Sequence, residues 1–389
     1  MTIQSVRPLA LQAAIVVFAA ITSAVLLTAP AIATQLAVEL GLTPAQIGDL
    51  FSIELGAMSL ATLPSFWWLK RVDWRRAALL AGLLFIAGNL ASAAATDYQA
   101  LAALRCVTAL AGGSLMVLCL TCAANLPNPS RAYGFWVLGQ LVLGAIGLSL
   151  LPRLFEAYGL GAVYLLLAAL MLFGLPLVRA FPAAQRAPEQ RPAGGAVSRW
   201  KVAAAIFGLL GFYVALSAVW TFIGAIGAQA GLSAQASGDI LAIATLMGIA
   251  GAGCATLIGE RWPRGPLLLT GFGLMAAATL LLLGHPQLAR FAVAVLLFKF
   301  TWTYVLPFIL ASLVELDESG RLMSLSNLVI GSGLALGPAL GGRLIGDGGD
   351  FQTLLLGAAA LTTLSLLATL GSRLRSPSFN PQSPQAKES

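Results

Sequence analysis

Gly41-Leu42-Thr43-Pro44-Ala45-Gln46-Ile47-Gly48-Asp49-Leu50 returns 190 residues later as Gly231-Leu232-Ser233-Ala234-Gln235-Ala236-Ser237-Gly238-Asp239-Ile240. The same offset carries Arg71 to Arg261, Arg131 to Arg321, Gly147 to Gly337 and Ala168-Ala169 to Ala358-Ala359. One match of this kind is within the reach of chance. Several at a single offset, spread over half the chain, mark a duplicated unit. Local chemistry agrees with the duplication: Thr43 is an N-cap with Pro44 at the first helical position and Gln46 closing a capping box, and Ser233 caps the corresponding helix of the second copy.

The solvent around these helices follows from composition. Of 389 residues 59% are hydrophobic and 10% charged, with a mean hydropathy of +0.89, against roughly 45–50% apolar and about 25% charged in a soluble domain. The 22 Lys+Arg and 15 Asp+Glu cannot cover a wetted surface of that size, so lipid is the solvent. A spanning helix takes about 20 apolar residues, and twelve take about 240, which leaves only connections and tails. Apolar runs place helices near 9–33, 43–68, 77–96, 100–124, 132–153, 160–181, 201–228, 234–259, 266–284, 288–314, 321–344 and 350–372.

An even number of spans per copy gives both copies the same orientation, related by an axis along the membrane normal. The expected fold is therefore an all-α membrane protein of twelve transmembrane helices in two six-helix, pseudo-symmetric halves. Residues 1–181 form the N-terminal bundle, 182–200 a cytoplasmic linker rich in Pro, Gln and Arg, 201–372 the C-terminal bundle, and 373–389 a disordered tail.

The net charge of +7 does not point to nucleic acid, because the basic residues sit at helix ends and form no stripe on a soluble face. Lys70 to Arg76, Arg131, Arg179 to Lys201, Arg261, Arg264, Arg321 and Arg373 to Lys387 fall on one side, with only Arg153, Arg290 and Arg343 on the other. That bias puts both termini in the cytoplasm and the chain in the cytoplasmic (inner) membrane, where it is expected to act as a monomer. The segment from Arg7 to Ala31-Ile32-Ala33 imitates a signal peptide, but its apolar run is too long, so it is an uncleaved first span.

Several chemistries are excluded. With one histidine, His285, and four cysteines, no two-His or Cys/His ligand set can be assembled, so neither a metal nor another cofactor is expected. Cys119 and Cys122 form a C-x-x-C inside an apolar segment, where thiols are inert packing. No nucleophile with its base and no phosphate loop occurs, so an enzyme is not expected, and ATP dependence is not either.

The whole chain resembles the major facilitator superfamily of secondary transporters, in its bacterial drug and metabolite permease branch. Its fourth-helix signature, an Arg followed by Gly at four and about eight residues, is similar to Arg105, Ala109, Gly112 and Gly113, with the first Gly changed to Ala. Its G-x-x-x-G-P-x-x-G-G signature is similar to Gly333, Gly337, Pro338, Gly341 and Gly342, here in span eleven instead of span five. Its loop between spans two and three aligns with Pro64 through Arg76: Arg75 and Arg76 survive, Trp74 takes a Gly position, and Arg71 stands where an Asp is usual. The resemblance implies alternating access by rocking halves, with spans one, four, seven and ten around the path. It also implies conformational or gating roles for the span-eleven residues and for Arg71, Arg75 and Arg76.

Lys299, near the midpoint of span ten, is the sharpest candidate for solute binding, since a charge there costs about 2.5–3.5 kcal/mol on insertion scales. Trp302 and Thr303 follow at helical spacing. Span four adds Arg105, and span seven adds Tyr213, Ser217 and Trp220 on the face that also carries Gly224. Glu54 is the candidate for proton coupling, because a carboxyl reached by water from alternate sides can take up and release a proton. Its rival role is structural, as partner of a cation. Asp49 is a second coupling candidate, although both it and Asp239 sit near a helix N-terminus, where the dipole favours acids.

Two cations and one acid in the core favour an anionic or zwitterionic organic solute with an apolar portion. The expected function is a secondary transporter, proton-coupled by symport or antiport, with export (efflux) favoured over import. The alternatives are an uptake permease for a carboxylate or other metabolite, a channel, and a membrane-embedded enzyme or receptor on the same scaffold.

Overall fold

A computed structural model describes residues 8–183, 198–259, 261–316, 321–346 and 348–373. Arg7, most of the linker, the loop at 317–320 and the tail beyond Arg373 lie outside the described residues. Within them the chain is helical and has no strand. The first half comprises α1 (Pro8–Leu27), α2 (Ala29–Leu40), α3 (Pro44–Leu60), α4 (Thr62–Trp68), α5 (Trp74–Ala93), α6 (Tyr98–Ala124), α7 (Pro129–Tyr158) and α8 (Gly161–Gly174), the last continued by a 3-10 segment, Leu175–Ala180. The second half comprises α9 (Arg199–Gln229), α10 (Ala234–Ile258), α11 (Arg264–Leu280), α12 (Leu288–Leu316), α13 (Arg321–Ile345) and α14 (Phe351–Arg373).

These helices make twelve membrane passes. Ten described segments are long and apolar enough to cross on their own. The second pass is split between α3 and α4 around Ala61, and the ninth is α11, of 17 residues. The first pass is likewise broken, between α1 and α2, where Pro30 has no amide hydrogen to continue the ladder. It ends at Leu40, about two turns beyond the position expected from the apolar run.

Helix starts follow the sequence signals. Thr43 and Gln46 form the reciprocal capping box, and Ser233 accepts from the Ala236 amide at 3.1 Å. Asp73, Asp97 and Asn128 cap α5, α6 and α7 in the same way. Gly41 and Gly231, counterparts at the offset, both take the left-handed conformation, at φ 62° and 83°.

Packing repeats as the sequence does. Within the first half α1 packs on α7, α3 on α6, α5 on α6 and α5 on α8; the counterparts α9 on α13, α10 on α12, α11 on α12 and α11 on α14 occur in the second. Between the halves α3 packs on α13 and α10 on α7, again counterparts, while α2 meets α9 at the centre of the seam. Small residues permit this closeness: a β-carbon on Gly48 would strike the Pro338 carbonyl, and one on Gly238 the Leu148 carbonyl, 190 residues away in each partner.

Candidate functional site

Lys299 sits mid-way along α12 and is 2% exposed. Its Nζ lies 4.0 Å from the ring centroid of Trp220 on α9 and 4.2 Å from that of Trp302, one turn further along its own helix. The two indoles meet edge to face at 5.9 Å, and Trp220 stacks on Phe298 at 6.4 Å. Tyr213, about two turns before Trp220 on α9, is buried with its ring edge to face on Phe212 at 5.6 Å. No carboxylate pairs with Lys299 among the described residues. The quadrupoles of the two rings replace part of the lost hydration, each worth up to about 2 kcal/mol when desolvated, but aromatic faces do not cancel a formal charge. The cup is therefore built to hold a cation and to leave it electrostatically unfinished.

Trp220 also reaches across the seam, where its Nε1–H donates to the Leu26 carbonyl at 2.8 Å. Ser217 and Thr303 take other partners. Ser217 donates to the Gly333 carbonyl at 3.1 Å, and Thr303 to the Gly248 carbonyl at 2.6 Å, so both fasten helices together instead of joining the cup.

Arg105 is not brought beside Lys299. It points into the first half, where its guanidinium is paired with Glu54 through two bonds and donates to Asn89 at 2.9 Å and towards Ser92 at 3.5 Å. Its carbon centre lies 4.9 Å over the Tyr164 ring. Glu54 thus has a cation as its partner, and Lys299 alone carries the unbalanced charge that sequence reasoning divided between two residues. Asn89, Ser92 and Tyr164 complete this nest and were not evident in the sequence, because they come from α5 and α8, outside the helices expected to line the path.

Asp49 is paired with Arg343 of α13, at 2.6 and 3.3 Å. Its counterpart Asp239 accepts from Ser149 at 2.5 Å and Gln235 at 2.9 Å, with Arg153 of α7 at 4.0 Å. Arg153 and Arg343 stand at the same offset as Asp49 and Asp239. A search for that offset among charged residues would have found both crossings between the halves. Further polar ties join the seam where Ser52 of α3 donates to the Ala335 carbonyl and accepts from the Ala339 amide at 3.2 Å. Its hydroxyl is thereby inserted into the ladder of α13 beside Pro338.

The span-eleven signature lies between two neighbours. Gly333, Gly337 and Gly341 face α9 at Tyr213, Ser217 and Ala218, while Gly342 faces the Pro44 carbonyl and Gly48 the Pro338 carbonyl. The basic turn between α4 and α5 binds within its own half. Arg75 Nε donates to the Phe181 carbonyl at 2.6 Å, Arg71 lies over Trp67, and the Arg76 amide is capped by Asp73. Cys119 and Cys122 are buried and unbridged. No group of three or more His, Cys, Asp or Glu that would suit a metal ion occurs among the described residues.

Comparison with known proteins addresses the whole arrangement. The sequence pattern of the Major Facilitator Superfamily matches residues 13–316 and 205–389. No protein of curated function matches by sequence. Among solved structures, the nucleoside transporter NupG has a TM-score of 0.73 at 12% identity, covering 94% of this chain and 100% of that one. A bacterial homolog of the human lysosomal transporter Spinster, inward-facing and unoccupied, has 0.69 at 15%, covering 97% and 100%. A POT family transporter in complex with a thioalcohol-conjugated peptide has 0.71 at 14%, covering 92% and 94%. At such identities the likeness is one of fold. Together with the family match over both halves, it makes this protein a membrane transporter of a small solute, not an enzyme, and a member of the Major Facilitator Superfamily.

Proposed function

We propose that the protein carries a small organic anion or zwitterion with an apolar or aromatic portion, and that the solute's anionic group docks on Lys299. The observation that carries this is the lone ammonium between Trp220 and Trp302, buried between α9 and α12 with no carboxylate to neutralise it among the described residues. An incoming anion supplies the missing charge, and the indoles and Tyr213 offer apolar surface to the rest of the solute. Arg105, bound by Glu54, takes no part in this docking.

The halves rock about the seam, with the glycine faces of α13 as the sliding surfaces and the Asp49 and Asp239 pairings holding one end. The bias of Lys and Arg puts the other end, with both termini, in the cytoplasm of a bacterial inner-membrane protein that works as a monomer. Transport is driven by protons, in the direction of export. Coupling through Glu54 requires its bond to Arg105 to open during the cycle, and coupling through Asp49 requires release of Arg343.

The test is a panel of organic anions in proteoliposomes under an imposed proton gradient. Lys299→Ala should raise the apparent Km for the transported anion by about tenfold or more, and an unchanged Km removes the anion site. Glu54→Gln should abolish the response to the gradient while exchange of solute for solute persists; coupling that survives this substitution removes Glu54 from that role.

A further inference from the structure

Pro30 brings no amide hydrogen to the first pass, so the carbonyl of Leu26, four residues earlier, loses the donor a continuous helix would give it. A half-buried carbonyl left without a donor is costly. Here the donor comes from the other half of the molecule, as the Trp220 indole N–H, at 2.8 Å. Positions 30 and 220 stand at the duplication offset, so the proline that orphans the carbonyl and the tryptophan that satisfies it are counterparts. A second counterpart pair lies one turn on. Thr34 donates to the Pro30 carbonyl at 2.9 Å, and Gly224, its equivalent, packs so closely that a β-carbon would crowd both groups.

The same indole has a second engagement. Its face covers the Lys299 ammonium while its edge holds the break in the first pass, and the rigid ring cannot shift on one side without shifting on the other. We propose that Trp220 is a positioning residue. Its N–H latches the break between α1 and α2, and movement of the ring when Lys299 is occupied frees the Leu26 carbonyl and lets the two helices re-angle. The latch stands on the hydrogen bond alone; its trigger rests on the anion site proposed above.

Amide hydrogen exchange of residues 27–36 in the full-length, detergent-solubilised protein tests both parts. Trp220→Phe keeps an aromatic face over Lys299 but has no N–H, and should accelerate exchange in this segment by about tenfold. Pro30→Ala returns an internal donor to Leu26, so in that background Trp220→Phe should change exchange by less than about twofold. The comparison separates the latch from the void left by a smaller ring, because the void remains in both backgrounds. Equal acceleration in the native and the Pro30→Ala backgrounds, or none in either, overturns the latch. Benzoate, a small aromatic monoanion, serves as probe of the trigger: it should accelerate the same exchange in the native protein and not in Lys299→Met. If benzoate has no effect while the paired variants behave as expected, the anion trigger is wrong and the latch stands.

Discussion

The two halves share their helix order and packing but not their buried charge. In the first, Glu54 and Arg105 neutralise each other inside a nest made by Asn89, Ser92 and Tyr164. At the corresponding positions of the second half stand Ala244 and Val295, and nothing ionic remains. The second half instead carries Lys299, where the first has Ala109, and surrounds it with Trp220 and Trp302, where the first has Pro30 and Gly112. Duplication preserved the scaffold, and divergence assigned a closed pair to one copy and an open charge to the other. A closed pair is already balanced within its own half. An open charge in lipid needs a partner that comes and goes, which is what a carried solute is.

The largest effect should come from breaking the closed pair. Glu54→Ala leaves the Arg105 guanidinium buried without its counter-charge, which costs about 3–5 kcal/mol. The loss should be read as a fall in the cooperative thermal unfolding temperature of the solubilised protein. Adding Arg105→Val gives the first half the residues of the second, and should recover most of the loss, because a paired charge and a well-packed apolar pair differ little in stability. A double variant as unstable as Glu54→Ala would show that the first half depends on something other than charge balance.

The open charge should respond differently. Lys299→Met keeps most of the side-chain volume and removes an ammonium that has no carboxylate partner among the described residues. The burial penalty relieved, about 2.5–3.5 kcal/mol on insertion scales, is of the same size as the cation–π attraction of the two indoles that is lost, so a net change within about 1 kcal/mol of zero is expected, in contrast to the loss at Glu54. Stabilisation by organic anions, followed in the same unfolding measurement, should disappear. A loss as large as that of Glu54→Ala would mean that the ammonium is already balanced.

These contrasts bear on what a sequence can disclose. The twelve passes and their duplication were legible because apolar length and a constant offset are written linearly, and the capping of α3 and α10 was legible because Thr43 and Ser233 act on amides three residues away. The cup at Lys299 was legible in part. Trp302 lies one turn along the same helix, and Trp220 and Tyr213 stand on one face of α9. Ser217 and Thr303 share those faces but bond to α13 and α10, since a hydroxyl's partner depends on which neighbour brings a carbonyl near. The direction taken by Arg105 was beyond reach: a helix wheel does not say whether a face turns to the seam or to α5 and α8, and only Asn89 and Tyr164, from those helices, reveal it.

The smallest expected effect lies at the two crossings, where the halves differ in degree. Asp49 bonds Arg343 directly, and both side chains are more than one third exposed. Asp239 is held by Ser149 and Gln235, with Arg153 only at the limit of an ion pair. Exposed pairs contribute little and are screened by salt. Asp49→Asn should therefore raise the fraction of molecules open at this end by about two- to fivefold at low ionic strength, and by less in high salt. Asp239→Asn should do less still, since an amide can keep a hydrogen bond to Ser149. Spin labels at Tyr158 and Gln352, exposed residues of opposite halves, would report the opening as a longer distance once Cys106, Cys119, Cys122 and Cys254 are replaced. Exchanging the charges, Asp49→Arg with Arg343→Asp, should return the distribution to that of the native protein. If both single variants open the end equally, or the exchange fails to close it, then the packing of Gly48 on Pro338 and Gly238 on Leu148 holds this end shut without help from charge.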